Sequence, residues 1–400
     1  MKRILAFTSI RSDYDLMSKV YALLHADRQI EFALIVSGTH LSRMHSYTIR
    51  EIEKDGFKIL ARIKTLTGDS NSLESRIKSG SVLLSKSIEV MSKYKPDLVL
   101  ISGDREDMVM AALCAGYLEI PCVHFFGGDH TSDGYIDNPV RHAISKLVTA
   151  HVVSIHEHKM RLLSMGEFPR RIFVTGSIAL DRFRSMQYLS KNELLKKLNI
   201  RNRFKDFALV IFHPFSQESD KTRNYFENIL KVLKENQINS FVSYPNTDPG
   251  NKDIVDAIKS FKNDENFFFY KNMDRRIFMS IYKYSLFIIG NSSSGILEAA
   301  SVPIPAINVG LRQKGRLSGR NVVFVDGNIV SIRKAVKKVL GKGFLSKIQG
   351  MKNVYGDGDS SYRAYCILKG YNFKKMLFKK EDPLRGNENA KDFGRFCSSR

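Results

Sequence analysis

Short apolar runs alternate with amphipathic helical stretches along most of the chain, in two blocks parted by the polar stretch Asp181–Lys191. Runs of this length suit strands buried on both faces, and the segments between them suit helical crossovers of a parallel sheet. The 400 residues are also enough for two domains. These three observations predict an α/β protein with two Rossmann-like domains facing one another across a cleft. Ligands bind beyond the carboxyl ends of parallel strands, so chemistry is expected where each strand stops.

In the first block the strand candidates are Arg3–Thr8, Glu31–Ser37, Asp97–Ser102, Pro121–Phe126, His151–Ile155 and Arg171–Thr175. Between them, Tyr14–Ala26 sets Leu16, Val20, Leu23 and Leu24 on one stripe, and Ser81–Tyr94 does the same with Leu84, Ile88 and Met91. The second block offers Phe207–Phe212, Ser240–Tyr244, Phe267–Tyr270, Leu286–Ile289, Ile304–Val309 and Val322–Val325. Its helical patterns are Arg223–Glu235, Ile254–Phe261, Arg275–Tyr284 and Val330–Leu340. The expected division is 1–185, 186–358, a closing helix within 359–377, and a polar, basic tail 378–400 that is expected to be disordered.

A net charge of +22 suits a negatively charged partner, whether nucleic acid, anionic membrane surface or small anionic substrate. The basic residues are dispersed apart from a cluster at Lys374–Lys380, and no nucleic-acid motif stands out, so no nucleic-acid partner is expected. No apolar run approaches the ~20 residues that span a bilayer, so no membrane insertion is expected. The apolar run Ile4–Phe7 is too short for the core of a signal peptide and reads as a first strand. Cys114, Cys122, Cys366 and Cys397 lack paired metal-ligand spacing. A cytoplasmic homo-oligomer, dimer or tetramer, with no cofactor and no catalytic metal is expected.

The strand ends carry the candidate chemistry. Arg11 follows the first strand, where a guanidinium matches phosphate oxygens; pairing with Asp13 in a surface turn is the plainer alternative. Gly103-Asp104-Arg105 places a carboxylate at a strand end, unless Asp104 merely caps the next helix. In His124-Phe125-Phe126-Gly127-Gly128-Asp129 the glycines allow close backbone approach, His124 reads as a core histidine, and Asp129 is the candidate. Asn138-Pro139 reads as an N-cap and first helical residue. Asp137 and Arg141, four apart and beside His142, can meet near that start, orienting a carboxylate or stapling the helix.

In the second block His213 ends one strand and Asn246 lies in the turn after the next. Leu286–Pro303 reads as strand, small-residue turn and helix start, the geometry that aims backbone N–H groups at an anion. Ser292, Ser293, Ser294 and Gly295 form that turn, and Glu298 is expected on the first helical turn, in reach of a ribose. A plain serine-capped helix is the alternative. Arg312, Gln313, Lys314 and Arg316, beside Gly310 and Gly315, suit a diphosphate or sugar hydroxyls; a solvated basic loop is the alternative. Together these residues describe a nucleotide-sugar site with carboxylates available for proton transfer.

The ordered set IRSDYD, SGTHLS, ISGDRED, HFFGGDHT, IDNPVRHAISKL, FHPFS, GNSSSGILEAAS, RQKGR and NVYGDGDSS covers nearly everything but the tail. It resembles the hydrolysing UDP-N-acetylglucosamine 2-epimerases of sialic-acid and related nonulosonic-acid biosynthesis. The resemblance implies a GT-B-like fold whose final helix packs back on the N-terminal domain. It implies removal of the sugar C2 proton, elimination of UDP to a glycal, and hydration to a free N-acetylmannosamine-type sugar. Asp104 and Asp129 match acid/base positions, and Asp137 a third acidic position beside Arg141 and His142. Ser292 and Ser293 match diphosphate contacts, Glu298 a ribose contact, and His213 and Arg11 further nucleotide contacts.

Three positions depart from the family pattern. Asp129 stands where Glu is frequent, which shortens the reach by one methylene, about 1.5 Å or less. Asn138 and Leu311 stand where acidic residues are common. These departures bear on which amino sugar is used, UDP-N-acetylglucosamine or UDP-N,N'-diacetylbacillosamine. The competing readings are a non-hydrolysing epimerase, a GT-B glycosyltransferase and a non-catalytic nucleotide-sugar-binding protein.

Overall fold

The structure is a computed structural model and describes residues 1–43, 47–66, 73–131, 136–200, 204–246, 250–271 and 273–382. The expected disorder of the tail beyond residue 382, and residues 247–249 of the turn that follows Tyr244, lie outside the described residues. The chain forms two compact units. Unit 1 takes in Met1–His130, Ile136–Asp181 and the chain from Gly356; of the described residues, unit 2 takes in Thr131 and Arg182–Tyr355.

Unit 1 holds a parallel sheet of β1 (Lys2–Thr8), β2 (Ile30–Val36), β3 (Lys58–Arg62), β4 (Leu98–Ser102), β5 (Cys122–Phe125), β6 (Ala150–Val153) and β7 (Ile172–Val174), ordered 3-2-1-4-5-6-7. Both faces are buried. Ile4, Ala6, Leu34, Leu100 and Val123 point to one apolar layer, and Leu5, Phe7, Ile35, Val99 and Ile101 to the other. That arrangement explains why these strands read as unbroken apolar runs. The strand β3 is missing from the sequence reading because it is a charged edge, with Lys58 and Arg62 exposed at its ends.

The last helix, Ser360–Gly370, belongs to unit 1. Its Ala364 and Leu368, followed by Phe373 and Met376, share a core with Met17, Val20 and Leu24 of the helix Arg11–Ala26. The Asp181 carboxylate accepts from the backbone N–H groups of Ser360 and Ser361, which satisfies donors that a helix start leaves open. Buried Arg171 donates to the carbonyls of Thr149, Met376 and Phe378 and pairs with Glu381, fastening the segment beyond the helix.

Unit 2 repeats the plan with β8 (Phe207–Ile211), β9 (Asn239–Ser243), β10 (Phe267–Tyr270), β11 (Ile288–Gly290), β12 (Ala306–Val309) and β13 (Val322–Val325), ordered 10-9-8-11-12-13 and parallel. Phe226, Ile229, Leu230 and Leu233 of the helix Thr222–Glu235 cover Val210, Ile289 and Ile307. The predicted α/β class with two Rossmann-like halves is therefore present. Strand order reverses between β1 and β4 in one unit and between β8 and β11 in the other, the topological position at which such sheets receive ligands.

Three local expectations are corrected. The helix Asp137–Leu147 is preceded by Ile136, so Asn138 is helical and buried, not the cap. Pro139 is still tolerated there, because the first turn's N–H groups have no intrahelical acceptors to lose. The strand expected over Leu286–Ile289 runs over Ile288–Gly290. Finally, the helix after it is Ser293–Leu297, so Glu298 sits at its C-terminal cap and not on the first turn.

Candidate functional site

The polar groups of unit 1 gather after β4 and β5. Gly103 (φ +88°) takes the chain off β4 in a conformation that favours glycine and delivers Asp104. The next helix, Glu106–Tyr117, is preceded by Arg105 without a side-chain cap, so Asp104 is not its capping residue. Instead the Arg141 guanidinium, buried on the helix Asp137–Leu147, donates from Nη2 to Asp104 Oδ2. The i,i+4 spacing pointed Arg141 toward Asp137; this ion pair reaches 37 residues back along the chain. Asp137 opens the same helix and is half-buried.

Asp129 lies in the loop that leaves β5. Its Oδ1 accepts from the N–H of His130 at 2.8 Å and faces His158 Nε2 at 3.5 Å. Gly128 (φ +74°) makes this possible, since a Cβ there would be 2.3 Å from the carbonyl oxygen of His158. Arg161 donates to the Gly128 carbonyl. His142 stacks on His130 with ring centroids 5.9 Å apart and planes 5° from parallel. Burial, with the charges of Arg141, His130 and Arg161 nearby, holds the His142 imidazole below its ordinary range, which favours the neutral ring.

Arg11, the phosphate candidate, opens the helix Arg11–Ala26; its Nε is 3.4 Å from Glu51 and 3.7 Å from Asp15. Asp13, read from the sequence as a surface-turn partner of Arg11, is instead buried near Gly103, and the buried carboxylate of Asp107 escaped the sequence reading. Asp13 Oδ1 is 3.7 Å from where a Gly103 Cβ would stand. Burial raises Asp13 to about 7, with Arg105 opposing and Asp107 reinforcing; burial also raises Asp107.

In unit 2 the ends of β8 and β11 are clamped together. The N–H of His213 donates to Asn291 Oδ1 at 2.8 Å, and Asn291 Nδ2 returns a bond to the His213 carbonyl at 2.8 Å. The Asn246 N–H donates to His213 Nδ1 at 3.2 Å, so His213 Nε2 carries the hydrogen and is the available donor. Burial, with a smaller push from Arg312, depresses His213 to about 3 and keeps it neutral. Gly290 (φ +142°) cannot be replaced without strain, because a Cβ would lie 2.0 Å from the Ile211 carbonyl oxygen.

The serine turn divides its labour. Ser292 caps the helix Ser293–Leu297, its hydroxyl accepting from the Ser294 N–H at 3.3 Å, while Ser292 and Ser293 remain half-buried at the helix start. Ser294 turns inward, donating to Glu298 at 2.8 Å and facing the Tyr282 hydroxyl at 3.2 Å. Gly295 lies against Ala306 and Ile288 of the sheet. Glu298 is buried and receives Arg182 Nη2 at 2.5 Å. In the following loop Arg312 and Gln313 both donate to the Asn291 carbonyl, at 3.1 and 3.2 Å, and Gln313 accepts from Arg316 at 3.0 Å. Lys314 is exposed.

Thus Ser294, Gly295 and Gln313, expected as ligand contacts, have internal partners within the turn-and-loop cluster. Asn291 and Arg182 organise it and were missed. The Gly290-Asn291 turn was the one available signal for the former; nothing near Arg182 in the sequence points to Glu298.

The UDP-N-acetylglucosamine 2-epimerase family model matches residues 22–369. The chain belongs to this family. It is 34% identical over 95% of its length to a UDP-N,N'-diacetylbacillosamine 2-epimerase (hydrolyzing) from Legionella pneumophila, covering 99% of that protein. It is 32% identical to a GDP/UDP-N,N'-diacetylbacillosamine 2-epimerase (hydrolyzing) from Campylobacter jejuni, over 86% of this chain and 88% of that protein. The fold matches that of UDP-GlcNAc 2-epimerase from Neisseria meningitidis bound to UDP-GlcNAc, with a TM-score of 0.75, 20% identity, and coverage of 92% of this chain and 100% of that one. Like those family members it is an α/β epimerase. Among the described residues no helix is long and apolar enough to cross a membrane.

Proposed function

We propose that this epimerase hydrolyses and inverts a UDP-linked N-acetylated amino sugar. A carboxylate takes the C2 proton while the C1–O bond to UDP breaks, leaving a glycal. Water then adds, its oxygen to C1 and a proton to the opposite face of C2, giving free UDP and the free 2-epimer, an N-acetylmannosamine-type precursor for sialic or nonulosonic acids. The observation that carries this reading is the near-full-length similarity to hydrolysing relatives. Both relatives are named for the diacetylbacillosamine sugar, which supports UDP-N,N'-diacetylbacillosamine over UDP-N-acetylglucosamine as the preferred substrate.

The residues divide the work by chemistry. In unit 2 the neutral His213, the half-buried Ser292 and Ser293, and the cations Arg312, Lys314 and Arg316 suit a leaving diphosphate. Arg11 is a further phosphate candidate in unit 1, and Glu298 and Asn246 are candidates for the nucleoside. In unit 1 Asp104, held by Arg141, and Asp129 and Asp137 suit the proton transfers, with His142 as a neutral donor or acceptor. A base acting on an unactivated C–H needs fixed geometry, and the Arg141 pair gives Asp104 that.

The test is incubation with each UDP-sugar in D₂O. Free UDP and a free 2-epimer carrying deuterium at C2 are expected, with the faster turnover on the diacetylated sugar. Accumulation of a UDP-linked epimer would overturn the hydrolytic reading, and faster turnover of UDP-N-acetylglucosamine would overturn the substrate preference.

A further inference from the structure

Behind the two acidic loops of unit 1 lies a pair of buried imidazoles with no place in the reaction as drawn. His124 of β5 and His151 of β6 are register partners on adjacent strands, both fully buried, with ring centroids 6.3 Å apart. His124 Nε2 is 2.7 Å from the Gly103 carbonyl oxygen. A carbonyl only accepts, so Nε2 bears the hydrogen and Nδ1 a lone pair. His151 Nε2 is 3.3 Å from Glu167 Oε2, and the same buried carboxylate receives Lys379 at 2.6 Å and Lys146 at 2.8 Å. Despite its burial, His151 and the two lysines hold Glu167 down at about 2. It is ionised, so His151 likewise donates from Nε2.

Both Nδ1 atoms then turn toward the same point. A Cβ on Gly127 would be 3.1 Å from one and 3.2 Å from the other, and neither has a hydrogen-bond partner among the described residues. Gly127 begins the glycine pair that leads to Asp129, and Gly103 immediately precedes Asp104. The rings therefore touch both backbone segments that carry acid/base candidates, without touching the carboxylates.

We infer that His124 and His151 are positioning residues for catalysis: His124 pins Gly103, and hence Asp104, while the two rings form the floor under Gly127 that sets Asp129. This rests on the reading of Asp104 and Asp129 as proton-handling groups. Burial lowers both imidazoles, His124 to about 3, so neither gains a second proton that would change its donor pattern at neutral pH. Ångström-scale displacement of a reacting group costs up to about 100-fold in rate, which gives such a floor leverage.

Three variants test the inference. His124→Phe keeps the ring and removes the donor, and His124→Gln keeps an N–H at a similar reach. Gly127→Ala inserts a methyl between the rings at a position where φ is not in the left-handed range. With the UDP-sugar, His124→Phe and Gly127→Ala are expected to lower kcat by about 10–100-fold while KM and UDP affinity stay within about threefold. His124→Gln is expected to recover a large part of the loss. Amide hydrogen exchange in peptides covering 102–106 and 126–130 should quicken in His124→Phe and stay near wild type in His124→Gln. Wild-type kcat in both His124→Phe and Gly127→Ala, or a His124→Gln variant as impaired as His124→Phe at equal melting temperature, overturns the inference. If wild type itself releases no UDP, the proposed function fails; unchanged exchange in His124→Phe overturns the positioning role independently of turnover. If His124→Phe does not fold, Gly127→Ala and His124→Gln decide the matter.

Discussion

Arg182 and Glu298 form a charge pair at 2.5 Å in which the carboxylate is buried and the guanidinium is about one-fifth exposed. Glu298 is the residue expected to meet a ribose, so a nucleoside reaching it encounters a carboxylate whose orientation Arg182 and Ser294 already fix. Removing the arginine alone leaves a buried charge without its main partner. Arg182→Met should lower the unfolding free energy by about 1.5–3 kcal/mol in urea titrations, and Arg182→Met with Glu298→Gln should regain much of it. Additive losses in the double variant would show that the two side chains do not act as a pair.

Asp104→Asn replaces the carboxylate paired with Arg141 by an isosteric amide. Apart from Arg11, the proposed diphosphate contacts belong to unit 2, so UDP affinity by calorimetry should be retained. Turnover of the UDP-sugar should fall by about 100-fold or more, the scale of an acid/base group. Parallel loss of UDP affinity and turnover would assign Asp104 a structural role.

Gly290→Ala should damage unit 2 directly. The added Cβ would stand 2.0 Å from the Ile211 carbonyl oxygen in a conformation L residues avoid. Backbone strain alone costs about 1–3 kcal/mol, and the clash acts on the strand end that places Asn291 and His213. Thermal melting and UDP calorimetry should both deteriorate, whereas Gly343→Ala, where an added methyl meets nothing within 4 Å, should leave both near wild type.

His40 offers a test of stability against pH. It is buried between the hydroxyls of Thr8 and Thr48 at 3.0 and 2.7 Å, and burial lowers it to about 4. A histidine depressed in the fold binds its proton more readily when unfolded. Its contribution to stability is therefore complete above pH 6.5 and is lost as pH falls from there toward 4. The stability difference between wild type and His40→Gln should shift against wild type by up to about 1.4 kcal/mol per pH unit across that window. Comparing the two proteins cancels the opposite trend from Asp13, which is raised to about 7 and gains protons in the fold as pH falls. A pH-independent difference would mean that His40 has the same proton affinity folded and unfolded, and so is not desolvated by the fold.

The sheets were legible because their central strands are apolar on both faces, while the charged edge β3 carries no such mark. Strand ends, and hence Asp104, Asp129, His213 and Ser292, followed from the alternation of strands and helices. What could not be read was which polar side chains are spent internally. Ser294 and Gln313 have the chemistry of ligand contacts, but Tyr282, Glu298, Asn291 and Arg316 use their hydrogen-bonding groups. The Asn291 clamp on His213 spans 78 residues and the Arg182 pair with Glu298 spans 116, so local spacing cannot announce either.

Nearly all of unit 2 lies in one stretch, Arg182–Tyr355, but unit 1 needs Ala364, Leu368, Phe373 and Met376 to close its core. During synthesis from the N-terminus, the half begun first is therefore completed last. Its helix Arg11–Ala26 keeps an uncovered apolar face until Ala364–Met376 has left the ribosome, while unit 2 can fold in the interval. The seven-stranded half is then the one exposed to misassembly on the way, and a nascent chain stalled before Ser360 should depend on chaperones through its amino-terminal half.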